Sequence, residues 1–155
     1  MIASMSTPAA ERFADPRTAR VVAFYEALTP DSLARLPLVY ADDAHFVDPF
    51  NDVRGQAAIR RVFEHMFATL DSARFEVLEA STEAERCFVL WNFHLRRKPG
   101  SAPMTIHGAS RLCFGADGRV VSHRDYWDSS RELYEQLPLL GAVLRRLRRH
   151  LGAGG

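Results

Sequence analysis

The apolar residues of this chain change their spacing once, after Leu70, from a helical period to a strand period. Up to that point, apolar side chains recur every three or four residues, as in amphipathic helices. One helical stripe follows Asp15-Pro16 and ends at Leu28. A second begins near Thr29-Pro30, where Thr29 can cap a helix, and Pro37 should kink it. A third helix follows Gly55, after a short strand from Ala44 to Pro49 and a polar loop over 51–54.

After Leu70 the alternation typical of β-strands continues to Trp127. We expect four strands, Arg74 to Ala80, Arg86 to Arg97, Met104 to Phe114 and Val120 to Trp127. The links between them are short, so neighbouring strands should be antiparallel. Helices first and a strand meander second predict an α+β fold with helices packed on one face of the sheet.

The chain divides into one folded domain and its ends. We expect a flexible tail over 1–14, a domain over 15–128, a helical extension over 129–151 and a tail over 152–155. A length of 155 residues suits a single domain. The formal charge is +1, so no global field would attract nucleic acid. No apolar run could span a bilayer and no secretory leader is visible, so we expect a cytoplasmic protein without a membrane span.

Three segments carry a resemblance to a known superfamily. The first runs from Phe24 to Leu28, the second from Tyr40 to Pro49, and the third from Phe114 to Asp128, where a turn precedes Arg-Asp-Tyr-Trp-Asp. Together they resemble the nuclear-transport-factor-two-like superfamily, and in particular its SnoaL-like polyketide cyclase, ketosteroid isomerase and limonene epoxide hydrolase branches. The resemblance implies a curved, mixed, mostly antiparallel sheet wrapped around the N-terminal helices. Such a cone, a cystatin-like roll, encloses a ligand pocket.

The resemblance also implies candidate site residues. Asp48, just before a proline, matches the general base of ketosteroid isomerase, and Phe24 and Ser110 stand at that enzyme's two oxyanion-binding positions, with Tyr25 beside the first. Asp125 matches the last-strand aspartate of the epoxide hydrolases. The other polar positions of that site fall on Phe46, Asp48, Asn92 and His94, all of which face the pocket in the family.

Strand alternation extends this set. If Asp125 points inward, His123 and Trp127 do so too, because alternate residues share a face. Asn92 and His94 share one face of their strand with Phe88 and Leu90. We therefore expect a carboxylate and two imidazoles among apolar walls, which allows general acid–base chemistry. Two structural roles stay open: Asp125 could pair with Arg124 or His123, and Asp48 could cap the loop before Pro49.

Other chemistries have weaker support in the sequence. No phosphate loop, dinucleotide fingerprint, nucleophile elbow or metal-ligand spacing occurs, so we expect neither cofactor nor metal. Cys87 and Cys113 are too few for a disulfide scaffold; we expect two reduced thiols, and one bridge stays open. The basic cluster over 145–150 suits a solvated helix end or a contact with anionic lipid or nucleic acid.

Two expectations concern what the protein binds. The opposite face of the second long strand carries Val89, Trp91, Phe93 and Leu95, which predicts a homodimer through the outer sheet face or coverage by the C-terminal helix. The pocket predicts a small hydrophobic ligand. The leading hypothesis is a cofactor-free isomerase, cyclase or hydrolase with Asp48 as base and His94 or His123 as proton relay. The alternative is a non-catalytic small-ligand-binding or dimeric interaction module.

Overall fold

The computed structural model describes residues 7–128 and Arg146. The helices are α1 (Ala9–Arg12), α2 (Pro16–Glu26), a 3-10 helix (Asp31–Arg35), α3 (Leu36–Val39) and α4 (Gln56–Thr69). The strands are β1 (Tyr40–Val47), β2 (Asp52–Arg54), β3 (Ser72–Glu83), β4 (Arg86–Arg96), β5 (Met104–Phe114) and β6 (Val120–Tyr126). The predicted C-terminal extension over 129–151 and tail over 152–155 lie outside the described residues, apart from Arg146.

The six strands form one sheet in the order β2-β1-β6-β5-β4-β3. Every neighbouring pair is antiparallel except β1 and β6, which are parallel. Helix α2 packs against β3, and α4 packs against β1, β2 and β3. The predicted α+β class with a mixed, mostly antiparallel sheet is confirmed.

Local chemistry explains where the main helices begin. The carboxylate of Asp15 accepts hydrogen bonds from the backbone N–H groups of Arg17 and Thr18 at 2.9 and 3.3 Å, which satisfies two donors that the first turn of α2 leaves free. Pro16 occupies the first helical position, where no N–H is needed. Helix α4 follows Gly55, whose φ of +84° is readily adopted only by glycine.

Several elements or their boundaries differ from the sequence prediction. The second helix splits into a 3-10 turn and one α turn, and the chain becomes extended at Tyr40, four residues before the predicted strand. The polar loop contains the short strand β2, paired with β1. Part of the predicted N-terminal tail forms α1, because Arg12 bonds Glu26 at 2.9 Å and also the carbonyl of Val77.

The predicted inner and outer faces of β4 are reversed. Trp91 is 6 % exposed and lies on the helix-covered face, together with Cys87, Val89 and Leu95, whereas Phe88 and Leu90 are 54 % and 43 % exposed. Phe93 shares the inner face and stacks on Phe75 with ring centroids 4.4 Å apart. A strand shifted by one residue exchanges its faces completely, so this single error moves every β4 side chain.

Irregular pairing changes which residues of two other strands face the helices. Strand β3 has a register shift between Val77 and Glu79. Before the shift, Phe75 and Val77 face inward. After it, Ala80 and Thr82 do. A second shift, at Phe114, brings Val120 into the core while His123 remains on the inner face opposite Leu112. The inner face is therefore continuous from β3 to β6.

Candidate active site

A narrow cavity lies between α2 and the inner face of the sheet. Its volume is about 30 Å³, which is room for a water or two. Pockets that hold drug-sized ligands measure roughly 300–1,000 Å³. In this conformation the cavity is closed to such ligands, and side chains must move before one can enter. The lining is mostly apolar and comprises Val21, Val22, Tyr25, Phe75, Val77, Val89, Trp91, Ser110, Leu112, His123 and Asp125.

A chain of hydrogen bonds runs along one wall of this cavity. Asp125 Oδ1 lies 2.6 Å from His123 Nε2, and His123 Nδ1 lies 2.7 Å from the hydroxyl of Tyr40. Tyr40 in turn bonds the hydroxyl of Tyr25. His123 is 2 % exposed and Tyr40 is fully buried, so the chain is shielded from solvent along its middle.

A second hydrogen-bonded arm reaches Asp125 from the neighbouring strand. The indole N–H of Trp91 donates to Ser110 Oγ at 2.8 Å, and the Ser110 hydroxyl donates to Asp125 Oδ1 at 2.5 Å. An indole nitrogen can only donate, so the one hydroxyl hydrogen of Ser110 is directed at the carboxylate. Asp125 Oδ1 thus receives both arms, while Oδ2 bonds no residue within 7–128. The Asp125 side chain is 17 % exposed.

Tyr25 and Tyr40, the two tyrosines of this hydrogen-bonded network, remain protonated. Burial raises the pKa of Tyr25 well above its usual range, and the nearby Tyr40 and Asp125 raise it further. Burial also raises the pKa of Tyr40. Both phenols are therefore neutral and can act as hydrogen-bond donors.

Asp48 lies at the mouth of the site, outside the cavity lining. Its Oδ1 accepts hydrogen bonds from the backbone N–H groups of Phe50 and Asn51, both at 2.7 Å, and the Asn51 amide bonds both carboxylate oxygens at 3.0 and 2.9 Å. This carboxylate caps the loop after β1, which is the structural role that the sequence left open. Asp48 also borders an open surface cleft that it shares with Asp125 and Trp127.

Three residues predicted to face the pocket lie away from both the cavity and its mouth. Asn92 and His94 lie on the opposite face of the sheet, away from the helices, because β4 is turned over relative to the prediction. There His94 bonds Glu76 at 2.8 Å and Thr105 at 2.9 Å. Phe24 lies beside a different groove of α2, which it shares with Arg20 and Leu38. The predicted pocket-facing positions of these three side chains are wrong.

The other predicted residues do meet around the cavity or its mouth. Tyr25, Ser110, His123 and Asp125 line it. Phe46 packs on His123 with ring centroids 4.7 Å apart. Trp127 lies at the open cleft, where its ring meets Phe50 at 5.6 Å. Their roles in catalysis or binding stay predictions.

Two members of the hydrogen-bonded network were missed in the sequence. The apolar spacing of the second predicted helix continues to Tyr40, and nothing in the local pattern distinguishes that position from the start of β1. Trp91 was assigned to the outer face, although a signal existed. Gly108 stands directly opposite Trp91 in β5, and a cross-strand glycine leaves space for a large inward-facing ring.

Other kinds of site have no support in the described part of the chain. Within residues 7–128, no three His, Cys, Asp or Glu side chains converge as metal ligands would. No helix of that region is long and apolar enough to cross a bilayer. Both cysteines are free thiols.

Comparisons with known proteins agree with this architecture. Over 111 residues the chain is 27 % identical to a steroid Δ-isomerase of Nocardioides simplex, covering 70 % of this chain and 87 % of the relative. An NTF2-like protein of unknown function from Burkholderia pseudomallei superposes with a TM-score of 0.67 at 18 % identity, covering 76 % and 94 % of the two chains. A protein with a ketosteroid isomerase-like fold from Catenulispora acidiphila gives 0.65 at 18 %, covering 76 % and 89 %. Residues 21–123 match the family model of the SnoaL-like domain, and the chain therefore belongs to the SnoaL-like family, with an NTF2-like fold.

Proposed function

We propose that the protein is a cofactor-free enzyme that moves a proton within a small, largely apolar molecule, an isomerase-type reaction with Asp125 as the general base. One observation carries the proposal. The carboxylate of Asp125 is held through Oδ1 by Ser110 and His123, no residue within 7–128 bonds Oδ2, and Asp125 borders both the cavity and the open cleft. A base fixed through one oxygen presents the other in a defined direction.

The lining of the cavity limits what the reacting group can be. Apolar side chains form most of the wall, and among the described residues its ionisable groups are Asp125, His123 and the phenol of Tyr25. No lysine or arginine within residues 7–128 lines it to balance a carboxylate or phosphate of a substrate. The reacting part of the substrate is accordingly uncharged, such as a ketone with an acidic C–H bond. The steroid Δ-isomerase relative supports this class of chemistry.

Asp48, the base that the resemblance implies, is the competing assignment. Its carboxylate accepts several hydrogen bonds from its own loop, and such bonds hold it away from the cavity lining. Reorientation toward a substrate would require those bonds to break. Asp125 needs no such rearrangement, so we assign the base to Asp125.

The test compares two isosteric variants on the same probes. The probes are a β,γ-unsaturated ketosteroid, followed by the absorbance of its conjugated product, and β-tetralone, followed by NMR as its acidic C–H hydrogens exchange in D₂O. Asp125→Asn should lower kcat about 10²–10⁴-fold, the usual contribution of a positioned base. Asp48→Asn should leave kcat close to that of the wild type. The reverse pattern would move the base to Asp48.

The alternative is a non-catalytic binding module of the same fold. Such a module would bind a probe without exchanging its hydrogens or isomerising it. The wild type and Asp125→Asn would then show the same uncatalysed rate. Thermal shift with each probe measures that binding, since a ligand that binds the native state raises Tm.

We also propose a homodimer through the face of the sheet that the helices do not cover. The residues on which the sequence prediction rested, Trp91, Phe93 and Leu95, face inward. Three other apolar side chains support the same surface, since Leu78, Phe88 and Leu90 are each more than 40 % exposed there. Such a group of large apolar side chains is typical of a buried interface.

A further inference from the structure

Resting on the proposed function, we propose that His123 is the acid partner of Asp125. In this assignment His123 delivers a proton to the substrate through Tyr40 and Tyr25 while Asp125 removes another. The substrate class is a neutral carbonyl compound whose oxygen binds beside the Tyr25 hydroxyl.

The network has two ends, and both border the cavity. Asp125 and Tyr25 are lining residues, whereas Tyr40 lies behind the wall and touches no ligand space. Between the ends, His123 Nε2 is 2.6 Å from Asp125 Oδ1, and His123 Nδ1 is 2.7 Å from the Tyr40 hydroxyl. A substrate in the cavity can therefore meet a proton acceptor at one atom and a proton donor at another.

The direction of each hydrogen bond follows from the charge on His123. With a proton on both ring nitrogens, Nε2–H donates to Asp125 and Nδ1–H donates to the Tyr40 oxygen. Tyr40 must then donate to Tyr25, and the hydroxyl hydrogen of Tyr25 is left to point into the cavity. In this form the charge on the ring is paired with the carboxylate 2.6 Å away, as a buried charge requires.

One catalytic step then balances in protons and charge. A C–H bond next to the carbonyl breaks, its proton goes to Asp125 Oδ2, and its electron pair moves to the carbonyl oxygen. The Tyr25 proton passes to that oxygen, the Tyr40 proton replaces it, and the Nδ1 proton moves to Tyr40. The products are an enol, a neutral Asp125 carboxyl and a neutral His123, and the reverse sequence returns a proton to carbon.

Burial of the tyrosines favours a coupled transfer over a stepwise one. Because burial raises the pKa of Tyr25 and Tyr40, neither phenol can persist as a phenolate. A proton can leave Tyr25 only as another arrives from Tyr40. The direct separation of Tyr25 and His123 Nδ1 is 3.4 Å, longer than an ordinary hydrogen bond, so Tyr40 is needed as the bridge.

The first experiment removes the Tyr40 hydroxyl and measures KM and the solvent isotope dependence as well as kcat. In Tyr40→Phe we expect kcat for exchange of β-tetralone to fall by about tenfold or more, with KM little changed because Tyr40 does not line the cavity. A plot of rate against the deuterium content of the solvent should be curved in the wild type, because several protons move in one step. The same plot should be linear in Tyr40→Phe. Thr18→Val is the matched control, since it removes another buried hydroxyl, outside the network.

A double variant separates a relay from independent effects. Tyr25→Phe with Tyr40→Phe should lose no more kcat than the worse single variant, because either change interrupts the same path. Additive losses, or an unchanged kcat and isotope dependence in Tyr40→Phe, would overturn the relay while leaving Asp125 as base. If every variant, Asp125→Asn included, exchanged the probe as fast as the wild type, the proposed function itself would be rejected.

A second measurement needs no substrate. ¹⁵N NMR of the His123 ring in the intact protein at neutral pH should show two protonated nitrogens, assigned by comparison with His123→Asn. One protonated and one unprotonated nitrogen would overturn the assignment of His123 as the acid.

Discussion

The indole ring of Trp91 lies over the α-carbon of Gly108 on the neighbouring strand. A Cβ atom at Gly108 would come within 2.3 Å of the ring carbon Cη2, far inside van der Waals contact. This fit keeps the indole N–H directed at Ser110, and through Ser110 at Asp125. A residue without a side chain thus determines how the second arm reaches the carboxylate.

Gly108→Ala should destabilise the protein. Alanine is ordinarily better than glycine in a strand by roughly 0.5–1 kcal/mol, but here the overpacking term of about 1–3 kcal/mol reverses the sign. Denaturant unfolding measures the change. A smaller ring should relieve the clash, so Gly108→Ala with Trp91→Phe should be less destabilised than the sum of the single variants. An increase in stability for Gly108→Ala alone would contradict the observed packing.

Ser110→Ala removes the hydroxyl that links the Trp91 indole to Asp125. The variant leaves the buried indole N–H of Trp91 without its acceptor, which should destabilise the protein by about 1–3 kcal/mol. Ser110→Thr keeps the hydroxyl and is the matched comparison; it should lose less stability. Equal unfolding free energies for wild type and Ser110→Ala would mean that the hydrogen bond contributes nothing.

His94 is expected to have no part in catalysis. Its ring is bonded to Glu76 and Thr105 on the face of the sheet away from the cavity, so His94→Gln should leave kcat unchanged for any probe that the protein turns over. The hydrogen bond from His94 lowers the pKa of Glu76, so this pair stabilises the fold above the ordinary pKa of glutamate and loses that effect as the pH falls. A large fall in kcat for His94→Gln would return the residue to the site.

Asp15 should make stability depend on pH in strong acid. The Arg17 side chain and two backbone N–H groups lower its pKa from 3.8 to about 2. Its stabilisation is therefore complete above pH 3.8 and is lost as the pH falls through about 2. Asp15→Ala should lose about 1 kcal/mol at neutral pH, the usual value of an N-cap. Asp31→Ala, an exposed carboxylate without a capping bond, is the control; equal effects of the two variants would refute the cap.

Leu90→Asp should separate the proposed dimer into monomers. A carboxylate at this position would have to be buried without a partner in the interface, which opposes association. Sedimentation at several concentrations measures the state. Leu38→Asp places the same charge on another exposed apolar residue, in α3, and should leave the dimer intact. A monomeric wild type would reject the proposed interface.

The sequence predicts the order of elements and the class of fold well, because a change of period is a property of many residues together. It predicts the faces of individual strands less well. Strand β4 carries large apolar side chains on both faces, with Phe88 and Leu90 on one and Val89 and Trp91 on the other. Alternation separates these two sets but does not say which set the helices cover. Only the cross-strand neighbour, Gly108, distinguishes them.

In β6 the same alternation succeeds. There His123 and Asp125 share a face and are flanked by Ser122 and Arg124, so the resemblance and the period point the same way. The resemblance was less informative for Asp48, because matching a position does not fix the hydrogen bonds of its carboxylate. Those bonds come from the loop that follows β1, and loop geometry depends on contacts that no local pattern contains.

Asp125 borders a closed cavity on one side and an open cleft on the other. In the proposed reaction, once side chains move to admit it, the terminal group of a larger molecule can reach the carboxylate while the rest of the molecule stays outside. Recognition of this kind depends on the chemistry of one end of the substrate and tolerates differences in the length and shape of the rest. The side chains at the cleft, rather than those of the cavity, would then decide which large compounds are accepted.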